Sequence, residues 1–476
     1  MSARRLIPLA VLLAGGCTLG PRDPHAALSL PPTPAGNASL APIAPASGPA
    51  QALNVGEAVP ADWWRRFGSA RLDALVDRAL AANNDIATAD ATLRQAREQA
   101  KATAGGTLPQ IDAGYQVERA RASATISPPL ANPDVTLYTL HTAQLSVSYP
   151  LDLFGAGRSK VASARAAAQV QRQRLAAART TVVANLVLAV VEQASLAAQV
   201  DAANESVRAD RGILAMMRRR QQLGAIGAAD VAAQETALAA AEGALPPLAR
   251  AMAHQQALIA ALIGIAPGNA LPPLPALGDL HVPADLPVAV PSELVRHRPD
   301  ILAAEAQMKG AGADVGAAIA ARLPSIQLSA TAGGAATRFA EMFADGNPFW
   351  SLIGGVTQPL FHGGALRHQQ KAAEAALDGA RAQYRAAVIQ AFVDVSDALT
   401  GLHGDADALD AAARADASAA RGLGFVTRQL QLGDVGTLAL LNASAARAQA
   451  ASQLVQARAA RLADSVALFQ ALGGGW

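Results

Sequence analysis

The eight histidines are the side chains of this chain with the widest chemical repertoire, since imidazole can bind metals and transfer protons. They are scattered along the sequence: His362 and His368 are six residues apart, off one helical face, and no His-Glu-x-x-His pattern occurs. The segment 155–160, GAGRSK, has the wrong glycine spacing for a phosphate loop, so we expect a strand-to-helix corner there. The sequence therefore predicts a protein that is not an enzyme.

The only cysteine, Cys17, excludes an intrachain disulfide and a cysteine-based metal site. Two arginines and an apolar run precede it, which predicts a signal peptide over residues 1–16. Residues 13–17 resemble a bacterial lipobox, although Ala14 stands where leucine is commonest, and Thr18 follows the cysteine instead of an aspartate. We therefore expect a covalent lipid on Cys17, no other cofactor, and transit to the outer membrane. The alternative is an ordinary cleaved signal with an incidental thiol.

The composition favours closely packed helices. The net charge is +2 and charged residues make up 16%, so nothing indicates a nucleic acid or an acidic substrate as partner. Aromatic residues make up only 4%, which argues against a large aromatic-lined ligand pocket. Residues 17–61 are rich in Pro, Ala, Ser and Gly, and we expect them to form an extended leash without a buried core.

The body of the chain is duplicated. Asp85-Ile86 recurs as Asp300-Ile301, displaced by 215 positions, and the Gly224/Gly227 pair recurs 209 positions later as Gly433 and Gly436. A single change of register is typical of a duplicated structural unit with one loop of altered length. The sequence thus predicts a first repeat over 62–265 and a second over 292–476. The Pro-rich linker 266–291 between them is expected to cross the outside of the helical body.

Each repeat is predicted to contain a helix, a β-hairpin, a long helix and a further helix. The helices are expected at about 71–104, 157–222, 230–265 with a kink at Pro246-Pro247, 292–322, 365–431 and 437–472. The strands are expected at about 110–118, 142–149, from 325 onward, and 350–357. A helix of 66 residues extends roughly 100 Å, so it must pack sideways along its length, as in a coiled coil. In the first long helix, Leu175, Val182 and Leu186 form a predicted seam close to heptad spacing.

The hairpins alternate apolar and polar residues, and each strand has about the length that crosses an outer membrane. Four strands cannot close a barrel, and strand edges cannot stay unpaired in lipid. Several copies must therefore share one sheet: two copies would supply eight strands and a filled interior, and three would supply twelve and a lumen. A soluble coiled coil with two surface hairpins is the alternative, but it would expose apolar faces to water.

Several motifs, in order over the whole chain after the signal, carry a resemblance to a known family. They are the segments 62–67 (DWWRRF), 297–301 (HRPDI), 323–326 (LPSI), 358–361 (QPLF) and 471–476 (ALGGGW). Together they resemble the TolC-type outer-membrane efflux channels, and most closely the lipoprotein branch that serves resistance-nodulation-division pumps.

The resemblance implies a mainly α-helical fold with membrane β-strands: four strands per chain, twelve in a homotrimer, above a periplasmic helical barrel. It implies an outer-membrane location with a lipid anchor and extension into the periplasm. The partners implied are a periplasmic adaptor protein, an inner-membrane pump of the resistance-nodulation-division type, and outer-membrane lipid. The function implied is a passive exit duct for small toxic compounds. A duct for secreted polypeptides (type I secretion) and a lipid-anchored structural coiled coil remain alternatives.

The two helix reversals are the predicted adaptor contacts, although they could simply be helix turns. Their residues are Leu223, Gly224, Gly227, Leu432, Gly433 and Gly436, and the four glycines are expected to permit the tight backbone turns. The family commonly narrows the periplasmic end with a leucine and an aspartate one helical turn apart, and the matching residues are Leu438 and Asn442. Because Asn442 lacks charge and Ala445 replaces a frequent arginine, we expect weaker cation block than in relatives with the aspartate.

Two charged runs allow both a functional and a structural interpretation. Asp405, Asp407 and Asp410 could select cations near the mouth of a tunnel, but a solvated helix face explains them as well. Residues 218–220, three arginines beside the first reversal, could steer an adaptor or simply favour a helix C-terminus.

Overall fold

The computed structural model describes residues 39–121, 137–289 and 291–475. These residues form two compact units, each with parts of both repeats. In the described residues, the strand unit comprises 93–121, 137–171 and 304–384, and the helical unit comprises 39–92, 172–289, 291–303 and 385–475. The predicted signal peptide and Cys17 lie outside the described residues, so both stay predictions.

Long helices dominate the chain. The helices are α1 (Ala70–Ala82), α2 (Asn84–Gly105), α3 (Ala156–Gln222), α4 (Ala228–Gly243), α5 (Leu245–Leu262), α6 (Pro291–His297), α7 (Pro299–Ala320), α8 (Ala365–Leu432) and α9 (Thr437–Ala471). The strands are β1 (Ala52–Val55), β2 (Gln110–Arg121), β3 (Leu137–Leu151), β4 (Asp285–Val288), β5 (Ser325–Ala336) and β6 (Pro348–Thr357).

The two long helices agree with the sequence prediction. α3 has 67 residues and α8 has 68, within one residue of the predicted ends. Leu175, Val182 and Leu186 of the predicted seam are all buried in the helical unit, which confirms that α3 packs along its side. The predicted kink is also confirmed: α4 ends and α5 begins around Ala244, just before Pro246-Pro247.

The single helices predicted at 71–104 and 292–322 were wrong, because each is broken in two. The first break is at Asn83, whose side-chain oxygen accepts the N–H groups of Asp85 (2.8 Å) and Ile86 (3.2 Å). This local bond competes with helix continuation and caps α2 instead. The second break is at Arg298, directly before Pro299, a position where a helical conformation is disfavoured.

The two breaks perform the same task in the two repeats. The Asn83 side chain donates to the carbonyl of Leu262 at the end of α5 (2.9 Å), and the Arg298 guanidinium donates to the carbonyl of Ala471 at the end of α9 (2.7 Å). Leu262 and Ala471 stand 209 positions apart, the displacement of the repeats. Each break thus satisfies a helix-terminal carbonyl that has no partner within its own helix.

Arg298 forms ion pairs that Asn83, its counterpart in the first repeat, does not form. Its guanidinium is also paired with Asp300 (2.7 Å) and Asp394 (2.8 Å), so a buried cation meets two carboxylates. Burial opposes the charge, but the hydrogen bonds and charges of Asp300 and Asp394 outweigh it and raise the pKa of Arg298. The second repeat therefore joins α6, α7 and α8 of the helical unit by ion pairs.

The leash predicted over 17–61 was wrong for its described part, which is packed on the helical unit from residue 39 onward. β1 pairs in parallel with β4, which lies inside the predicted linker 266–291. Gln51 is fully buried; its amide donates to Pro283 and Ser465 (both 3.1 Å), and its oxygen accepts from Arg461 (2.7 Å). Buried polar bonds thus hold this low-hydrophobicity segment, together with the buried side chain of Ile43.

An aromatic cluster fixes the point where the N-terminal segment enters α1. Trp63 is fully buried and stacks on Phe469 of α9, with the ring centroids 5.0 Å apart. Trp64 and Phe67 meet Trp63 edge-on at 6.1 and 6.2 Å. These rings belong to the DWWRRF motif, whose residues therefore have a packing role.

The strand unit contains one antiparallel sheet in the order β2-β3-β5-β6. Four membrane-length strands were predicted, and the structure has them with 10 to 15 residues each. The long helices α3 and α8 start from the end of this sheet at which β3 and β6 finish. The loop that joins β5 and β6 lies at the opposite end.

Candidate channel wall and periplasmic gate

The strand register gives the sheet two faces of opposite polarity. One face is apolar: Ile111, Ala113, Tyr115 and Val117 of β2, Ala143, Leu145 and Val147 of β3, Ala330 and Ala332 of β5, and Trp350, Leu352 and Val356 of β6. The other is mainly polar: Gln110, Asp112, Gln116 and Glu118 of β2, Thr142, Gln144, Ser146 and Ser148 of β3, Ser325, Gln327, Ser329 and Thr331 of β5, and Ser351 and Thr357 of β6. A sheet between lipid and an aqueous lumen requires this arrangement.

Among the described residues, most of the large side chains on the apolar face of a single chain are exposed. Trp350 is 80% exposed and Leu352 72% exposed, values that are costly in water for a row of large side chains. β2 and β6 are the outer strands of the sheet, and each offers its outer edge for pairing. Leu360 and Phe361, directly after β6, are also almost fully exposed.

The two helix reversals share one backbone motif. The N–H of Ala225 donates to the carbonyl of Arg220, and 209 positions later the N–H of Asp434 donates to Gln429. Gly224 (φ +73°) and Gly433 (φ +83°) supply the left-handed residue that such a helix end requires. Glycine is needed at these two positions, as the sequence predicted.

Gly227 and Gly436 have a different role from the one predicted. Both are helix N-caps in extended conformation, with φ of −84° and −83°, which other residues adopt readily. Their role as backbone-turn glycines is therefore a correction. The turn itself depends on the preceding glycine of each pair.

The reversals leave two leucines exposed to solvent. Leu223 is 69% exposed and Leu432 is 72% exposed. The adjacent arginines are engaged within the helical unit: Arg218 pairs with Glu235 (2.7 Å), and Arg220 donates to the carbonyl of Leu430 at the end of α8 (3.3 Å). Arg220 therefore joins the two long helices near their tips, which favours the structural interpretation of that residue.

The predicted gate residues lie on the first two turns of α9. Leu438 is 67% exposed, and Asn442 is exposed one turn later. The helix start is tied to the neighbouring reversal, because the Thr437 hydroxyl donates to Asp230 at the start of α4 (2.5 Å). Two exposed side chains on a tethered helix end are available to a neighbouring copy or to an open pore.

A buried polar cluster near the predicted gate residues was not found from the sequence. Ser444 donates to the carboxylate of Asp210 (3.1 Å), and the fully buried Gln234 donates to the same residue's carbonyl (3.3 Å) and carboxylate (3.4 Å). Farther along, Arg447 of α9 pairs with Asp416 of α8. These bonds connect α3, α4, α8 and α9. Their only sequence signal is a polar residue on an otherwise apolar helix face, which many solvated positions share.

Two residues of the acidic run on α8 make defined contacts: Asp410 binds the N-terminal segment, and Asp405 lies beside Asp464 of α9. The carboxylate of Asp410 accepts the backbone N–H groups of Ala46 (2.9 Å) and Ser47 (2.7 Å), which lowers its pKa and fastens the N-terminal segment. Burial, and then the neighbouring Asp405, raise the pKa of Asp464 to about 7. Neither the predicted cation selection nor a purely solvated face describes Asp410.

The described residues give no support to a metal site or to a phosphate-binding loop. Within 39–121, 137–289 and 291–475, no group of three or more His, Cys, Asp and Glu side chains is placed to hold a metal ion. The GAGRSK segment forms the predicted corner, where Asp152 accepts the backbone N–H of Arg158 (2.8 Å) as α3 begins.

Comparisons with known proteins agree with this geometry. The chain is 31% identical over 417 residues to the pyoverdine export outer membrane protein OpmQ of Pseudomonas putida, covering 87% of this chain and 88% of that protein. It is 28% identical over 479 residues to the toluene efflux pump outer membrane protein TtgC of Pseudomonas putida, covering 99% and 96%. Both relatives are named as outer-membrane proteins, and both are matched over most of their length.

The fold is also that of a solved outer-membrane channel. The structure of OprN superposes with a TM-score of 0.86 at 24% identity, covering 97% of this chain and 100% of that chain. This likeness confirms the predicted TolC-like fold class. The family model described as outer membrane efflux protein matches residues 75–265 and 290–474, nearly the two predicted repeats. The chain therefore belongs to the outer membrane efflux protein family, whose members lie in the outer membrane.

Proposed function

We propose that three copies of the chain share one twelve-stranded barrel in the outer membrane and form a passive exit duct for small toxic compounds. The observation that carries the proposal is the open four-stranded sheet with one apolar and one polar face. A barrel of eight strands has a filled interior, whereas twelve strands leave room for a lumen. Three copies are therefore the smallest closed assembly that fits transport.

The sheet edges support the same assembly. In lipid, every backbone N–H and C=O must be paired within protein, so an open edge cannot persist there. β6 of one copy would pair with β2 of the next, and the exposed Leu360 and Phe361 beside β6 would be covered by this contact. The polar face then lines the lumen, and the apolar face meets the acyl chains.

The partners in this proposal are a periplasmic adaptor protein and an inner-membrane pump of the resistance-nodulation-division type. The exposed Leu223 and Leu432 at the helix reversals would contact the adaptor, and Leu438 and Asn442 would narrow the duct behind them. Cys17 would carry the lipid anchor. The duct has no catalytic step, because the pump supplies the energy and the choice of substrate.

Small molecules are the substrate class that the relatives favour. One is named for pyoverdine export and another for toluene efflux, and neither name refers to protein secretion. A deletion strain should therefore become sensitive to dyes, detergents, solvents or antibiotics, while its secreted protein profile stays unchanged. Loss of a secreted polypeptide without any change in sensitivity would favour type I secretion instead.

The channel itself is tested with the purified, membrane-extracted protein. Native mass spectrometry should show a trimer, and reconstitution into a planar bilayer should give stepwise ion conductance. A water-soluble monomer that never permeabilises a membrane would contradict the proposal and would favour the structural coiled coil.

A further inference from the structure

The loop between β5 and β6, residues 337–347, folds back over the apolar face of the sheet; we call it the outer loop. Met342 of this loop is only 3% exposed, and its carbonyl lies directly over Gly334. A Cβ atom at position 334 would overlap that carbonyl, so the close approach requires glycine there. The outer loop is thus seated on the same face that carries Trp350 and Leu352.

The outer loop has a defined internal structure. The Asn347 amide donates to the carbonyl of Glu341 (2.6 Å), and the N–H of Ala335 donates to the carbonyl of Asn347 (3.2 Å). Arg338 and Glu341 form an ion pair at 3.0 Å across the short turn. These bonds satisfy polar groups of the loop locally, which a segment placed next to hydrocarbon requires.

Phe339 extends the loop across the sheet to an aromatic cluster. Its ring meets Tyr115 of β2 at 5.7 Å and His141 of β3 at 6.1 Å, edge-on in both cases. The Tyr115 hydroxyl and the His141 Nδ1 are 2.8 Å apart and hydrogen-bonded to each other. The two polar tips on the apolar face therefore satisfy one another, and the Phe339 ring packs beside the pair.

The loop nevertheless leaves its largest apolar groups uncovered. Phe339 is 63% exposed and Phe343 is 66% exposed, and both lie at the end of the sheet opposite the start of the long helices. Exposing two such rings to water is unfavourable, and a loop that already packs on protein gains no stability from it. They extend the exposed apolar surface of Trp350 and Leu352. The charges beside this surface are paired: Arg338 with Glu341 in the loop, and Arg119 of β2 with the Thr139 hydroxyl (2.9 Å).

We infer that the outer loop is a lipid anchor, with Phe339 and Phe343 inserted among the acyl chains of the outer leaflet at the rim of the barrel. The inference rests on the proposed function, because it requires the apolar face to meet lipid. Its support is the continuity of the loop surface with that face. Aromatic side chains gather at this level of membrane barrels because their rings tolerate the interface.

The test measures the depth of single labels in the reconstituted trimer. Phe343→Cys, Asp345→Cys and Leu352→Cys would each carry a nitroxide, and the unsubstituted chain treated with the same label is the control for Cys17, whose sulfur the proposed lipid would occupy. Collision with dissolved oxygen reports acyl chains, and collision with a water-soluble nickel chelate reports water. Asp345, an exposed polar residue of the same loop, is the matched control for Phe343.

We expect the ratio of oxygen to nickel accessibility at position 343 to resemble that at position 352 and to exceed that at position 345 several-fold. If position 343 resembles 345 while 352 reports lipid, the anchor is refuted and the barrel stands. If 343 and 352 both report water, the proposed barrel fails as well. A label at 343 shielded from both reagents would refute the lipid anchor by showing that a neighbouring copy covers the loop.

Discussion

At position 442 this chain has an asparagine, whereas the pattern implied by the family resemblance has an aspartate. It is exposed on α9 one turn after Leu438, so a trimer would bring three amides to the same level. A ring of carboxylates attracts divalent cations, whereas a ring of amides has no net charge. At the proposed gate, the residue at position 442 would therefore set how strongly cations bind.

Asn442→Asp should introduce block by divalent cations into a channel that otherwise shows little. Three added carboxylates at close range would repel one another and bind Mg²⁺ to relieve the repulsion. The measurement is bilayer conductance with and without millimolar Mg²⁺. Asn442→Ala is the control and should leave the cation response unchanged. Strong block in the wild type, abolished by Asn442→Ala, would contradict the assignment.

Asp464 is the residue whose ionisation should affect stability. Its pKa of about 7 in the folded protein compares with an ordinary value of 3.8, so the folded state holds a proton that the unfolded chain releases. Stability from this group is full below about pH 4 and is lost as the pH rises towards 7. A three-unit shift corresponds to about 4 kcal/mol, which we reduce to about 2 kcal/mol because the group is half-exposed.

Asp464→Asn should thus raise the melting temperature at pH 8 and flatten its decline between pH 5 and pH 8, measured by circular dichroism in detergent. An amide can still donate to Asp405, as the protonated acid does. Asp410→Asn is a control of opposite sign, because the lowered pKa of Asp410 stabilises the fold above its ordinary range. A wild type whose melting temperature is unchanged from pH 5 to 8 would exclude the effect.

Among the helices, the ties between α3, α4, α8 and α9 fix the periplasmic end of each chain. Thr437 joins α9 to Asp230 of α4, and Arg220 joins α3 to the carbonyl of Leu430 in α8. A helix pair that has to separate during opening must break such bonds first. In the proposed duct, the ties would therefore oppose separation of the helix ends.

Thr437→Val should increase the resting conductance of the reconstituted channel, because it removes the hydroxyl bonded to Asp230 without changing the side-chain shape. A charge-assisted hydrogen bond is worth about 1.5–3 kcal/mol, or roughly tenfold or more in an opening equilibrium. Thr427→Val is the matched control, since the Thr427 hydroxyl bonds only the carbonyl of Leu423 in its own helix (2.7 Å). Equal conductance for both variants would show that the tie has no gating role.

The helices also show how far a sequence can predict such a fold. Apolar periodicity and the absence of proline determined α3 and α8 to within a residue, because a long helix is a local pattern. The breaks at Asn83 and Arg298 were missed, since their cause is a bond to carbonyls of Leu262 and Ala471 far along the chain. The docking of residues 39–61 was missed for the same reason: Gln51 and Asp410 act through long-range polar contacts.

The site was predictable to a similar extent. Gly224 and Gly433 follow from helix-end chemistry, which is local, and the structure confirms their left-handed conformation. The Asp210–Gln234–Ser444 cluster depends on three helices meeting and could not be read from one of them. The two-fold alternation of the strands was informative because each face of a membrane sheet meets one solvent only.

At the scale of the whole molecule, the function depends on the polarity of the two sheet faces. Neighbouring residues of β6 lie on opposite faces: Leu352 points to the apolar side, and Ser351 to the polar side, where its hydroxyl bonds Thr331 (2.7 Å). A lysine at either position has the same size and charge. Any difference between the two variants therefore reports the solvent that each face meets.

Leu352→Lys should prevent insertion or trimer formation, because a lysine on the lipid face of a membrane barrel costs about 2–4 kcal/mol near the midplane and would occur three times per trimer. Ser351→Lys should insert normally and shift the ion selectivity towards anions, since the three new charges would line the lumen. The measurements are the trimer yield from outer membranes and the reversal potential in a salt gradient. Should Ser351→Lys fail to insert while Leu352→Lys forms channels, the faces are assigned the wrong way round; should both insert equally, the sheet is not the wall of a membrane pore.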